Sequence, residues 1–244
     1  MWKTLKPTIL LLSLLMLSAG AQATTNQDNN IGSDSHGRGD IIGGAGFFDV
    51  NRMEVDFQNG TLTVDIYSRY FDNIGLCGTQ LGDLFISTNG WNPSGSAPYS
   101  GDNALNGERW ELALVLDSHS ANSGMLSLYA VNPNNIVNSF APGYIFRDGQ
   151  EVQYNPAEQL ALATGVWSIS GLGTPGDDSD DYLRLQVTYG NWGVTDAFGF
   201  HWGMTCANDV IEGAAPVPEP ATMLLLGTGL IGLAGLGRRK FKKK

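Results

Sequence analysis

The sequence predicts an all-β body, a β-sandwich or jelly-roll-like ectodomain, and three observations carry that prediction. From about residue 41 the apolar residues recur with a period of two. Two of these alternating runs are separated by Asn59-Gly60, a strong hairpin signal because both turn positions need φ > 0. The runs are joined by Gly-, Pro- and Asn-rich loops, with 32 Gly in 244 residues and no long amphipathic helical pattern.

A two-residue turn at Asn59-Gly60 fixes the register of the first hairpin. Phe57 faces Leu62, Val55 faces Val64 and Met53 faces Ile66, giving one apolar face. The other face sets Glu54 opposite Asp65 and Asp56 opposite Thr63. Further strands are expected at 83–88, 110–116, 126–131, 144–147, 166–169 and 182–189. The last, 198–206, aligns Phe198, Phe200, Trp202, Met204 and Cys206 on one face. Residues 24–40 are polar and read as a flexible lead-in, and 41–213 as the ectodomain. Arg38-Gly39-Asp40 within the lead-in spells an adhesion tripeptide, which chance and a turn explain better.

Both ends read as addresses. Residues 1–23 have the form of a secretory signal peptide: Lys3 and Lys6, the apolar run Ile9–Leu17, then small residues with Ala21 and Ala23 as an A-x-A site. Cleavage is placed after Ala23, with Ala21 as the alternative. At the other end, 214–244, Pro218-Glu219-Pro220 precedes an uncharged span at 221–237 and a basic stop at 238–244 that begins Arg238-Arg239-Lys240. The span is near the short limit for one transmembrane helix, and the basic cluster favours the cytoplasmic side.

This tail resembles the PEP-CTERM sorting signal of Gram-negative bacteria, through the Pro218-Glu219-Pro220 triplet, the Gly/Leu-rich span and the terminal Arg/Lys run. The resemblance implies exosortase as a partner and transient residence in the inner membrane. It implies removal of the tail near the triplet, and a mature body at the cell surface or in an exopolysaccharide or biofilm matrix. A permanent single-span anchor is the alternative. The segments Gly82–Ser87 and Phe200–Asp209 look like stretches that recur in PEP-CTERM ectodomains of unassigned function, so no activity follows from them.

Little in the body spells chemistry. His36, His119 and His201 are not at metal-ligand spacing, and no G-x-S-x-G elbow occurs. Glu54-x-Asp56 resembles part of the E-x-D-x-x-E pattern of laminarinase-like hydrolases. The second Glu of that pattern is replaced by Asn59, which removes the acid/base partner. The body is therefore expected to be non-enzymatic and to bind polysaccharide, with a polysaccharide-active jelly-roll enzyme as the alternative. The loop residues Trp91 and Trp192 either stack on sugar rings or plug the end of the fold. Asp177, Asp178, Asp180 and Asp181 either bind Ca²⁺ through hard oxygens or form a solvated acidic loop. In an oxidising compartment Cys77 and Cys206 are expected to form a disulfide.

The net charge of −10 conceals an asymmetry. Residues 24–216 hold 6 Arg, no Lys and 23 of the 24 acids, which leaves −17 on the body. Such a body repels anionic surfaces and nucleic acid. Divalent cations and neutral sugars are the partners compatible with it.

Overall fold

The computed structural model describes residues 23–35, 39–141, 145–173, 181–194 and 196–217. Its elements are β1 (Thr24–Gln27), α1 (Ala45–Phe48), β2 (Val50–Gln58), β3 (Thr61–Ser68), β4 (Leu84–Ser87), β5 (Leu112–Leu116) and β6 (Ser123–Ala130). They continue with β7 (Ile136–Asn138), β8 (Glu151–Tyr154), β9 (Ala163–Ser170), β10 (Tyr182–Thr188), β11 (Ala197–Gly203) and β12 (Val210–Pro216). The all-β expectation holds. Ten strands form one antiparallel sheet in the order β1-β2-β3-β10-β9-β6-β5-β4-β11-β12.

That sheet rolls into a nearly closed barrel, with β12 returning to β1 and β2. Side chains join this seam. Asn26 Oδ1 accepts the Ala214 N–H at 3.1 Å and Asn29 Nδ2 donates to the Glu212 carbonyl at 2.9 Å. Thr24–Gln27, expected as part of a flexible lead-in, is thus a strand of the wall, paired with Arg52–Val55 of β2. Its polar residues suit an edge strand, which needs only backbone partners and the Asn26 amide.

Alternation builds the core. The β2–β3 register is the expected one: Phe57 pairs with Leu62, Val55 with Val64 and Met53 with Ile66. Asn59 and Gly60 take φ of 52° and 79°, as such a turn requires. Leu183, Leu185 and Val187 of β10, and Phe198, Phe200 and Trp202 of β11, point inward with them. The expected strand at 144–147 does not form over its described residues, 145–147. There Arg147 turns its charge into the interior instead.

Two features complete the body. The β7–β8 hairpin is a second layer over the outer side of β4, β5 and β11, where Phe85, Trp110, Ala113 and Tyr154 make a satellite core. Trp192 closes one end of the barrel. It packs edge-on against Phe57, Phe198 and Tyr189, and its indole N–H donates to the Gly60 carbonyl at 2.9 Å. At 7 % exposure it has no face to offer a sugar, which corrects the stacking expectation for this residue. Trp192→Ala is expected to cost about 3–5 kcal/mol, read as a lowered urea midpoint. A loss below 1 kcal/mol would show that the barrel end is closed by other residues.

Candidate functional site

The outward side of β2, β3 and β10 is organised in rows, because residues opposite one another share a face. Glu54, Asp65 and Arg184 make one row; Asp56, Thr63 and Gln186 the next; Gln58, Thr61 and Thr188 the third. The first row continues through Ser168 of β9 to Ser123 of β6. Glu54 and Asp65 are like charges in opposition, as the hairpin register requires, and each is taken by an arginine. Arg184 grips Asp65 with two bonds of 2.7 and 2.6 Å, and Arg52 Nε reaches Glu54 Oε1 at 2.8 Å. The Arg52 guanidinium also lies 3.4 Å above the Tyr67 ring. Arg184 comes from a strand 119 residues away in sequence from Asp65, so local reading could not supply it. In the other rows the Gln58 amide donates to the Asp56 carboxylate at 3.0 Å, Gln186 Nε2 donates to Thr63 Oγ1 at 3.2 Å, and the Thr61 and Thr188 hydroxyls are 2.8 Å apart.

A second polar grouping is sealed beneath β7–β8. His201 lies on the outward side of β11, as alternation predicts, yet it is 0 % exposed because β8 covers it. Its Nδ1 is 2.8 Å from Glu212 Oε1 and its Nε2 is 2.6 Å from the Glu151 carbonyl oxygen. The Trp91 indole donates to Glu212 Oε2 at 2.7 Å and the Trp110 indole to Glu151 Oε1 at 3.2 Å. Burial works to lower the His201 pKa. The hydrogen bond and charge of Glu212, with the charge of Glu151, outweigh it and hold His201 at about 9. Burial raises the Glu151 carboxyl, against the opposing charge of His201. The set has an acid, a base and indole donors, but the walls leave a substrate no approach to it. Its work is to pin β8 and β12 to β11.

A third grouping joins the start of the body to its end. One oxygen each from Asp28, Asp40 and Asp209 lie within 4.8 Å of one another. These are hard ligands of the kind a Ca²⁺ ion takes. The buried Arg147 guanidinium stands beside them and donates to backbone oxygens of Asp40, Ala207 and Asn208. Burial and the neighbouring Asp40 raise Asp28 to about 8, and burial raises Asp209 well above the usual carboxylate range. The cluster thus meets its charge with Arg147 and retained protons.

Of the residues singled out in the sequence, Trp91 is half-buried over Glu212, with its ring edge-on to Tyr99 at 5.2 Å. Asp181 is buried directly before β10 and is not one of the three-Asp cluster, and its carbonyl accepts the Ser68 N–H. Asp177, Asp178 and Asp180 lie outside the described residues, as do Ala21, Pro218, Glu219, Pro220, Arg238, Arg239 and Lys240. Ala23 is exposed directly before β1. The expected disulfide is corrected: Cys77 and Cys206 are unpaired thiols. Cys77 sits in a tight left-handed turn, φ 59°, between Gly75 and Gly78, and both thiols line one cavity without bonding across it. Among the described residues no helix is long and apolar enough to cross a membrane, and 221–237 lie outside them.

The body is an all-β, nearly closed barrel-like domain. Residues 216–240 match the model of the PEP-CTERM protein-sorting motif. The chain thus carries a PEP-CTERM sorting motif, which supports sorting by exosortase to the surface. No curated protein and no solved structure is similar enough to the chain to count as a match.

Proposed function

We propose that the barrel is a non-enzymatic surface or matrix protein that holds neutral exopolysaccharide along the outward rows of β2, β3 and β10. The observation that carries this reading is the composition of those rows. Glu54 and Asp65 are each paired with an arginine and Asp56 is held by the Gln58 amide; between them toward solvent stand Thr61, Thr63, Gln186 and Thr188, groups that exchange hydrogen bonds with sugar hydroxyls. The body charge of −17 supports a neutral polymer over an anionic one. The burial of His201, Glu151 and Glu212 supports binding over hydrolysis. In this reading exosortase cuts the tail near Pro218–Pro220 and releases the body to the surface or matrix.

Affinity electrophoresis tests the binding. Migration is expected to be retarded in gels containing a neutral glucan and unchanged in alginate. The combined variant Thr63→Ala, Gln186→Ala, Thr188→Ala should weaken retardation about tenfold, the value of one to two net hydrogen bonds. No retardation, or retardation indifferent to the variant, would refute this face, and release of new reducing ends would establish an enzyme. Mass spectrometry of surface-located protein tests the sorting step separately: a chain intact through Lys244 would refute cleavage.

A further inference from the structure

The outward row of Asp56, Thr63 and Gln186 does not end at β10. Gln186 faces Val166 of β9, and Val166 faces Met125 of β6. Both residues are apolar, and at 51 % and 50 % exposure they stand clear of the wall rather than pack into it. Residues directly opposed on one sheet face hold their Cβ atoms about 5 Å apart, so the two form a single apolar spot.

What surrounds the spot determines what fits it. Two residues along the strands one way, Ser168 faces Ser123; two residues the other way, Thr164 faces Ser127. Gln186 flanks it on β10. On the β5 side Asp117 accepts the Met125 N–H at 3.0 Å and the Trp167 indole N–H at 3.0 Å. The spot is therefore two side chains wide, with hydroxyls, an amide and a carboxylate at its rim. Two side chains are a small centre for a protein partner, which buries about 800 Å² per side. A bare sugar would set a hydroxyl against Val166 and Met125, where it loses water and gains no partner. A methyl group has no such cost. The Gln186 amide adds a polar requirement. Its Nε2 carries two donors; one is given to Thr63 Oγ1 at 3.2 Å, and on this exposed side chain the second is left for a ligand.

We propose that Met125, Val166 and Gln186 form an acetyl subsite. The ester methyl of an O-acetylated neutral polysaccharide rests on Met125 and Val166, and its carbonyl oxygen accepts the second Gln186 N–H. The subsite rests on the reading of this side of the barrel as a neutral-polysaccharide surface, and it specifies the class of polymer held there. The polymer lies across the strands from Thr63 through Gln186 and Val166 to Met125, roughly 14 Å at about 4.8 Å per strand.

Unmodified dextran and the same dextran lightly O-acetylated are the probes, compared by affinity electrophoresis of the exported protein. Both should retard migration, and the acetylated polymer should bind about tenfold more tightly, the worth of one buried methyl group and one hydrogen bond. This comparison uses the unaltered chain, so it holds even where a variant does not fold. Val166→Thr combined with Met125→Gln keeps side-chain size while removing the apolar spot, and should bring the two polymers within about twofold of each other. Equal retardation by both polymers, or a tenfold preference that survives in the variant, would overturn the subsite and leave the polysaccharide face standing. Retardation by neither polymer would overturn both. Self-association in sedimentation velocity that the variant abolishes would assign the spot to a second copy of the chain and overturn the proposal.

Discussion

Replacing Glu212 with alanine is expected to destabilise the barrel by about 3–5 kcal/mol, the usual cost of removing one partner of a buried ion pair. Glu212 is 2 % exposed and holds His201 through Oε1 and Trp91 through Oε2. Without it the imidazolium is left between the rings of Trp110 and Phe85 with no counter-charge from its own sheet. Replacing His201 and Glu212 together with leucine should recover much of the loss, because no orphaned charge then remains. A cost below 1 kcal/mol for Glu212→Ala would show that β8 is not pinned there.

The same groups set a pH dependence of definite sign. His201 titrates at about 9 in the fold against 6.5 unfolded. Its contribution is therefore complete below pH 6.5 and is lost as pH rises through 9, at up to about 1.4 kcal/mol per pH unit. Asp28, raised from 3.8 to about 8 by burial and Asp40, acts in the same sense between those values. Asp102, raised to about 6 by burial and the charge of Glu212, does so at lower pH. In each case the folded chain keeps a proton that the unfolded chain releases. Thermal unfolding should shift upward as pH falls from 9 to 5, opposite to ordinary acid denaturation. In Glu212→Ala the slope between 6.5 and 9 should flatten. A midpoint that rises with pH across this range would contradict the assignment.

What could be read from the sequence, and what could not, follows from the reach of each interaction. The β2–β3 register was legible because Asn59-Gly60 fixes it within eight residues on either side. The inward face of β11 was legible for the same reason, as alternation is local. Strand β1 was missed because Thr24–Gln27 carries no apolar residue, and its order depends on Arg52–Val55 and on Ala214. Alternation along β11 turns His201 away from the core, but the layer that buries it comes from β7 and β8, which are distant in sequence from β11 and are joined by a long connection rather than a two-residue turn. The pairing of Cys77 with Cys206 was inferred from compartment and count, and neither describes the left-handed turn that holds Cys77. The pairing of Asp65 with Arg184 is likewise a property of the rolled sheet, which no local pattern encodes.

Gly82→Ala tests whether the second layer is as tightly joined to the barrel as described. A Cβ at Gly82 would lie 1.9 Å from the Gly203 carbonyl oxygen of β11 and 2.7 Å from the Val152 carbonyl oxygen of β8. Both are backbone atoms, so no side-chain rotation relieves the clash. The backbone is fastened at this point: Asp83 N–H donates to the Val152 carbonyl at 2.8 Å and the Trp202 indole to the Gly82 carbonyl at 3.2 Å. Separating these segments breaks those bonds, and the expected loss is about 3 kcal/mol or more, the upper range of overpacking. Gly190→Ala is the control. Its Cβ meets nothing within 4 Å, and the expected change is within about 0.5 kcal/mol. Val152 adjoins Glu151, so the displacement should also loosen the carbonyl that holds His201 Nε2. The His201 titration, followed by NMR of the imidazole, should then move down toward 6.5. Equal midpoints for the two glycine variants, or an unmoved His201 titration in a destabilised Gly82→Ala, would separate the close approach of β8 from the burial of His201.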